Sequence, residues 1–196
     1  MSASLPLVLA SSSVYRRELL AKLKLPFEHA SPDIDESALA DEAPAAQVER
    51  LAINKAQALT ERYPAALIIG SDQLAIGPDG KPLGKPLTTE RAVAQLLSMS
   101  GRRVTFVTGL CLLNSQSGRV QSLCEPYVVQ FRQLSQAQVE RYVAAEQPLN
   151  CAGSFKSEGY GITLFQSFEG RDPNSLIGLP LMALVELLAQ EGVALP

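Results

Sequence analysis

Three serines and two arginines stand between an apolar run and a helix-like one in the stretch LVLASSSVYRR, Leu7 to Arg17. The first turn of a helix leaves N–H groups unpaired and carries partial positive charge, so hydroxyls and guanidiniums gathered there can hold phosphate. The bland alternative is that Ser11, Ser12 and Ser13 cap the helix while Arg16 and Arg17 sit in solvent, and no glycine-rich phosphate loop accompanies them. A second signal is Ile68-Ile69-Gly70-Ser71-Asp72-Gln73, where an acid follows directly on an apolar strand and a glycine. Sites form at the carboxyl ends of strands in open α/β sheets, although an aspartate there also serves turns and caps. Lys55 falls on the apolar stripe of Val48, Leu51, Ala52, Ala56 and Leu59, where a lysine either snorkels from the edge or meets an anion. Lys85 follows in Gly84-Lys85-Pro86, and Asp33, Asp35 and Glu36 share one loop. Carboxylates, lysines and a helix-terminal anion site together point to a metal-bound polyphosphate.

The elements that must position these residues alternate along the chain. Strands are expected at Leu7 to Ala10, Phe27 to Ala30 and Ala66 to Ile69, with helices near Val14 to Lys24 and Ala45 to Glu61, an α/β pattern. Gln73 to Ile76 with the Pro78-Asp79-Gly80 turn reads as a hairpin, and a helix from Thr89 to Met99 stops near Gly101. Arg103 to Leu113 and Val120 to Leu134 bracket the turn signal Asn114 to Gly118, for which antiparallel pairing is simplest. Ser135 with Gln138 is a capping-box signature before a short helix ending near Glu146, and Pro180 suits the first turn of a last helix, Leu181 to Gln190.

Composition removes several functional classes. The 196 residues are 46% apolar, enough for one domain or two small lobes with a core. With 17 basic and 20 acidic side chains, a net charge of −3 and no Trp, there is no basic field for a nucleic-acid backbone. MSASLPLVLASSS has no positive n-region and only a short apolar run, and no stretch approaches the roughly 20 apolar residues of a membrane span, so a cytoplasmic protein without a membrane partner is expected. Cys111, Cys124 and Cys151 lack CxxC spacing, and His29 is the lone histidine, so neither a disulfide framework, a Cys/His zinc site nor a serine-hydrolase relay is indicated.

LASSS-VYRR, the Asp-Ile-Asp-Glu loop, Leu51-Ala52-x-x-Lys55-Ala56, Ile69 to Gln73, Leu83-Gly84-Lys85-Pro86 and Gly178-Leu179-Pro180, in that order, resemble the Maf family of nucleotide pyrophosphatases over nearly the whole chain. Gly70 to Gln73 and Cys151 to Gly159 are similar to the branch whose substrate is 7-methyl-GTP; the dTTP/UTP branch tends to carry Thr after the acid and Gln where Glu158 stands. The resemblance implies an inosine-triphosphatase-like mixed α/β sheet, a single domain over residues 1–196 with two lobes around a central cleft. It also implies hydrolysis between the α- and β-phosphates with a divalent cation, Mg²⁺ or Mn²⁺, and suggests a homodimer. Carried over by motif, Asp72 would accept the proton of the attacking water, Ser11, Arg16, Lys55 and Lys85 would hold the triphosphate, and Glu36 with Asp72 would place the metal. Tyr15, Gln73 and Glu158 lie at base-specificity positions, where the cationic 7-methylguanine ring would favour an aromatic face and a carboxylate. The lesser alternative for Glu158 is a surface acid in a glycine-bounded loop. The 7-methyl-GTP branch usually has Pro-Trp before the arginine pair; Val14-Tyr15 here offers a weaker π-face. The alternatives are a pyrophosphatase for dTTP, UTP or another modified nucleotide, and a nucleotide-binding cell-division regulator with little turnover.

Overall fold

Leu7–Ala10, apolar and buried at every position, forms the first strand, and the rest of the chain alternates around it. The computed structural model describes residues 5–196; residues 1–4, part of the N-terminal stretch read above for a targeting signal, lie outside the described residues. In chain order the elements are β1 (Leu7–Ala10), α1 (Val14–Ala21), β2 (Phe27–Ala30), α2 (Pro44–Gln57), β3 (Leu67–Ile76), β4 (Pro82–Leu83), α3 (Thr89–Met99), β5 (Arg103–Asn114) and β6 (Arg119–Phe131). They continue as α4 (Gln136–Glu146), β7 (Phe165–Glu169), α5 (Pro173–Ile177) and α6 (Leu181–Gln190), with 3₁₀ turns at Ala152–Ser154 and Tyr160–Leu164 before β7. This is a mixed α/β sheet: β1 pairs parallel with β2 and β3, whereas β3 with β4 and β6 with β7 run antiparallel. No helix among the described residues is long and apolar enough to cross a membrane.

The chain contacts divide it into two units. The first takes residues up to Gln73, Thr108–Glu125 and Gly178–Pro196. Here β1 lies between β2 and β3, with Leu9 opposite Ile69 and Ala10 opposite Gly70. Val8, Ala10, Ile68, Cys111 and Leu113 meet Ala52 and Ala56 of α2 and Leu59 just beyond its end, a core of small and branched side chains removed from water. The second unit takes Leu74–Val107 and Pro126–Ile177. Its core gathers Leu96 and Met99 of α3 and Val139, Tyr142 and Val143 of α4 around the edge-to-face rings of Phe106, Phe131, Phe155 and Phe165.

The α/β expectation stands, with boundary corrections. The strand expected to end at Ile69 and the one expected at Gln73 are a single strand, β3, so Asp72 lies within it rather than beyond its end. α1 stops at Ala21 because Lys22 caps it and Lys24 turns left-handed at φ 55°, and α2 stops at Gln57, four residues early. The Ser135–Gln138 capping box forms in full, and α6 spans Leu181–Gln190 with Pro180 just before it. β7 and α5 had no expectation; Phe165–Glu169 is five residues with only its first buried, too short and too exposed to leave an alternating pattern.

Candidate active site

Gly70 sets the first distance in the site. A Cβ there would lie 1.9 Å from the Ala52 carbonyl oxygen and 3.0 Å from the Ala56 amide nitrogen, so only glycine lets α2 pack this closely on β3. Lys55, between those two contacts on α2, is thereby delivered to Asp72, two residues along the same face of β3. Its ammonium lies 2.6 Å from Asp72 Oδ1 and 2.9 Å from Glu36 Oε1. Lys55 is 5% and Asp72 8% exposed, while Glu36 stands largely in solvent. A lysine so buried without a partner would be costly, and here two carboxylates share it. Of the two readings of Lys55, the anion-meeting one describes the structure.

The loop that carries Glu36 is tied back to α2. Arg50 donates through Nε and Nη2 to the two carboxylate oxygens of Glu42, each at 2.6 Å, and through Nη2 to the Ser37 carbonyl at 3.1 Å. Asp35 accepts from the Ser37 amide at 2.9 Å. Hydrogen bonding from Ser37 holds the Asp35 carboxyl below its ordinary range, and Arg50 does the same to Glu42.

At the start of α1, Ser13 is the cap, accepting from the Arg16 amide, and buried Ser11 accepts from the Ser13 amide. The two arginines diverge. Arg17 reaches His29, Nη1 to Nε2 at 2.7 Å, a correction to the expectation of a paired-arginine anion site. Arg16 turns inward and donates from Nε to the Gly178 carbonyl at 2.8 Å. Burial pulls its guanidinium down from its ordinary value, and the charges of Asp72 and Glu36, the pair that Lys55 holds, oppose that. The Gly178 carbonyl also accepts from the hydroxyl of Ser71, at 3.0 Å, and Ser71 is fully buried. Tyr15 is exposed on the first turn of α1, and Gln73 donates to Thr108 Oγ1 at 3.0 Å.

The remaining expected site residues belong to the second unit. Lys85 is exposed just after β4. The preceding Gly84 carbonyl accepts from Gln95 Nε2, and the other end of that amide, Oε1, accepts from Ser154 Oγ, so α3 ties the Lys85 turn to the loop that leads to Glu158. Glu158 is exposed and accepts from Ser157 Oγ at 3.3 Å. Lys156 pairs with Glu146 at 3.1 Å. Burial raises the Cys151 thiol; Lys156 and Lys85 oppose the rise and Glu158 and Glu146 reinforce it, so Lys85 and Glu158 act on the same thiol.

A family model described as Maf-like protein matches residues 6–191. The chain belongs to the Maf-like protein family. Among relatives, a protein of Alcanivorax borkumensis named 7-methyl-GTP pyrophosphatase is 62% identical over 190 residues, 97% of this chain and 96% of its own. Proteins of the same name from Pseudomonas putida and Pseudomonas aeruginosa are 61% and 59% identical, covering 98% and 97% of this chain and 100% and 98% of theirs. Among solved structures, the Staphylococcus aureus Ham1 protein aligns with a TM-score of 0.49 and 12% identity, over 95% of this chain and 99% of its own.

In this Maf-like protein no cluster of three or more His, Cys, Asp or Glu side chains among the described residues could form an all-protein metal cage. Asp72 and Glu36 nevertheless suit a hard divalent cation, because both carboxylates meet one ammonium and so lie close together, and Mg²⁺ needs only one or two carboxylates beside substrate phosphates and water. Sequence reasoning missed the Ser71–Gly178–Arg16 connection and the Arg50–Glu42 clamp. Gly178 could have been suspected, because it opens the Gly-Leu-Pro stretch before a helix; in the structure it sits at φ 124°, a conformation other residues rarely adopt. Arg50 and Glu42, eight residues apart across a loop, leave no spacing signature.

Proposed function

We propose that this chain hydrolyses 7-methyl-GTP to 7-methyl-GMP and pyrophosphate. The observation that carries the reading is the buried Lys55 ammonium shared between Asp72 and Glu36, with the Arg16 guanidinium close enough to feel the charge of the same pair. The Alcanivorax and Pseudomonas relatives bear the name of that activity at about 60% identity. Phosphoryl chemistry depends mainly on positioning and on neutralising charge, and this group supplies both.

Asp72 orients a water and takes its proton as the oxygen attacks the α-phosphorus; the bridge to the β-phosphate breaks and pyrophosphate leaves. Lys55 and Arg16 neutralise the charge gathering on the phosphate oxygens, and Ser11 and the first-turn amides of α1 receive phosphate as a helix terminus does. A divalent cation, when bound by Asp72 and Glu36, polarises the phosphoryl group and offsets the charge of the leaving pyrophosphate. Lys85 holds the triphosphate, and Tyr15, Gln73 and Glu158 select the base: the cationic 7-methylguanine ring gains from an aromatic face and from a carboxylate, and unmethylated GTP gains less.

The test is pyrophosphate release with Mg²⁺ or Mn²⁺ from 7-methyl-GTP, GTP, dTTP, UTP and CTP, with Asp72→Asn as control. The expected result is preference for 7-methyl-GTP, loss of hydrolysis with retained nucleotide binding in Asp72→Asn, and a reduced preference for the methylated base in Glu158→Gln. Preference for dTTP or UTP would keep the chemistry and overturn the base assignment; full activity in Asp72→Asn would overturn the choice of base. Tight binding without turnover of any nucleotide would favour the regulator.

A further inference from the structure

Lys55 meets the carboxylate pair directly, whereas Arg16 feels its charge without an ion pair among the described residues. Lys55 is aimed by α2. Arg16 depends on one backbone oxygen: its Nε donates to the Gly178 carbonyl at 2.8 Å, while its two Nη nitrogens have no hydrogen-bond partner among the described residues. A guanidinium held at Nε presents its remaining fork to a planar or tetrahedral oxyanion, which is the arrangement that phosphate recognition uses. The aim of that fork is therefore only as good as the fixing of the Gly178 carbonyl.

Gly178 has φ 124°, a conformation open to glycine and disfavoured for any residue with a side chain, so glycine lets the chain present its carbonyl here. Ser71 is what holds it: its hydroxyl donates to the same oxygen at 3.0 Å from a fully buried position. Ser71 adjoins Asp72 on β3, and successive side chains of a strand point to opposite faces. One residue thus aims the carboxylate partner of Lys55 while the next fixes the acceptor of Arg16.

We propose that Ser71 is a positioning residue for phosphate recognition, acting through the Gly178 carbonyl on Arg16. This rests on the reading of the Arg16, Lys55 and Asp72 group as a triphosphate site. Removing the hydroxyl frees the carbonyl to rotate, and the guanidinium fork loses its aim while keeping its charge. The loss of one buried neutral hydrogen bond corresponds to roughly a five- to tenfold effect.

The experiment is a double-mutant cycle on the full chain, read in two ways: kcat and KM for 7-methyl-GTP, and calorimetric binding of inorganic tripolyphosphate. Ser71→Ala is expected to lower kcat/KM and to weaken tripolyphosphate binding by about five- to tenfold, with Ser71→Cys, which keeps the size but donates weakly, in between. In an Arg16→Ala background the further effect of Ser71→Ala should shrink to within about twofold, because the residue through which it acts is gone. If the Ser71→Ala penalty persists undiminished in that background, or if Ser71→Ala matches the parent protein, the proposal fails. Wild-type protein that neither binds tripolyphosphate nor turns over any nucleotide would instead overturn the site reading beneath it, so the two failures are told apart. Circular dichroism and thermal melts of each variant separate loss of aim from loss of fold.

Discussion

Gly70→Ala tests how α2 delivers Lys55. The added Cβ would start 1.9 Å from the Ala52 carbonyl oxygen, and Cβ contacts under 3.0 Å essentially never occur, so α2 must retreat by about 1 Å or β3 must bend away. The three nearest obstructing atoms, the Ala52 carbonyl oxygen and carbon and the Ala56 amide nitrogen, are all backbone, so no side-chain rotation can relieve the clash. Overpacking of this kind costs about 1–3 kcal/mol, and a rigid obstacle places it near the upper end. For a chain of this size that lowers Tm by roughly 6–12 °C. Activity should suffer more than stability, because Lys55 rides on the displaced segment at 2.6 Å from Asp72, and a misplacement of about 1 Å can cost roughly a hundredfold. Gly109→Ala is the comparison: its Cβ would lie 2.1 Å from the Val48 carbonyl oxygen, on the same helix but two turns before Lys55. Thermal melts and kcat/KM for 7-methyl-GTP, measured on both variants, should give similar losses of Tm and a much larger loss of kcat/KM for Gly70→Ala. If both variants lose kcat/KM equally, or if Gly70→Ala keeps it, the packing of α2 on Gly70 is not what aims Lys55.

Glu42→Gln should loosen the loop that carries Glu36, seen as faster amide exchange over residues 37–42 and a severalfold higher Mg²⁺ requirement, with a modest loss of Tm because the Arg50 pair is part-buried and bidentate. The same exchange should accelerate in the parent protein in acid: the Glu42 and Asp35 pKa values are depressed on folding, so their stabilisation is present above the ordinary carboxylate range and is lost as pH falls through the folded values. Cys111 is fully buried, and burial, with Glu49 nearby, pushes its thiol to about 12, so iodoacetamide at pH 8 should leave it unmodified in the native protein. Because the folded value lies above the unfolded one, the folded state keeps a proton that the unfolded chain releases, and stability should decline as pH rises from 9 towards 12.

Much of this site could be read from residue types alone. Lys55 betrayed itself by standing on an apolar stripe, and the serine-arginine stretch by its place between strand and helix. The strand around Asp72 was harder, because Gly70 and Ser71 interrupt the apolar run and look like a strand's end, whereas in the fold their smallness serves close packing and a buried hydrogen bond. The divergence of Arg16 and Arg17 was also hidden: adjacent helical residues point about 100° apart, and which one turns inward depends on the Gly178 carbonyl, 162 residues away. Likewise Gln95, which bridges Gly84 and Ser154, sits in a helix whose periodicity reports only its core face.

The length of Gly70-Ser71-Asp72 matters as much as its composition. On a strand the first and third residues share a face and the second takes the other. Gly70 therefore opens the space for α2 on the face from which Asp72 meets Lys55, while Ser71 meets Gly178 on the opposite face. Alanine at the first position would lift the helix; a larger residue at the second would displace the carbonyl that Arg16 grips. Inserting or deleting one residue would exchange the faces, pointing the carboxylate away from its lysine. Both cations are thus referred to one rigid strand, and a rigid reference is what a reaction dependent on positioned charge requires.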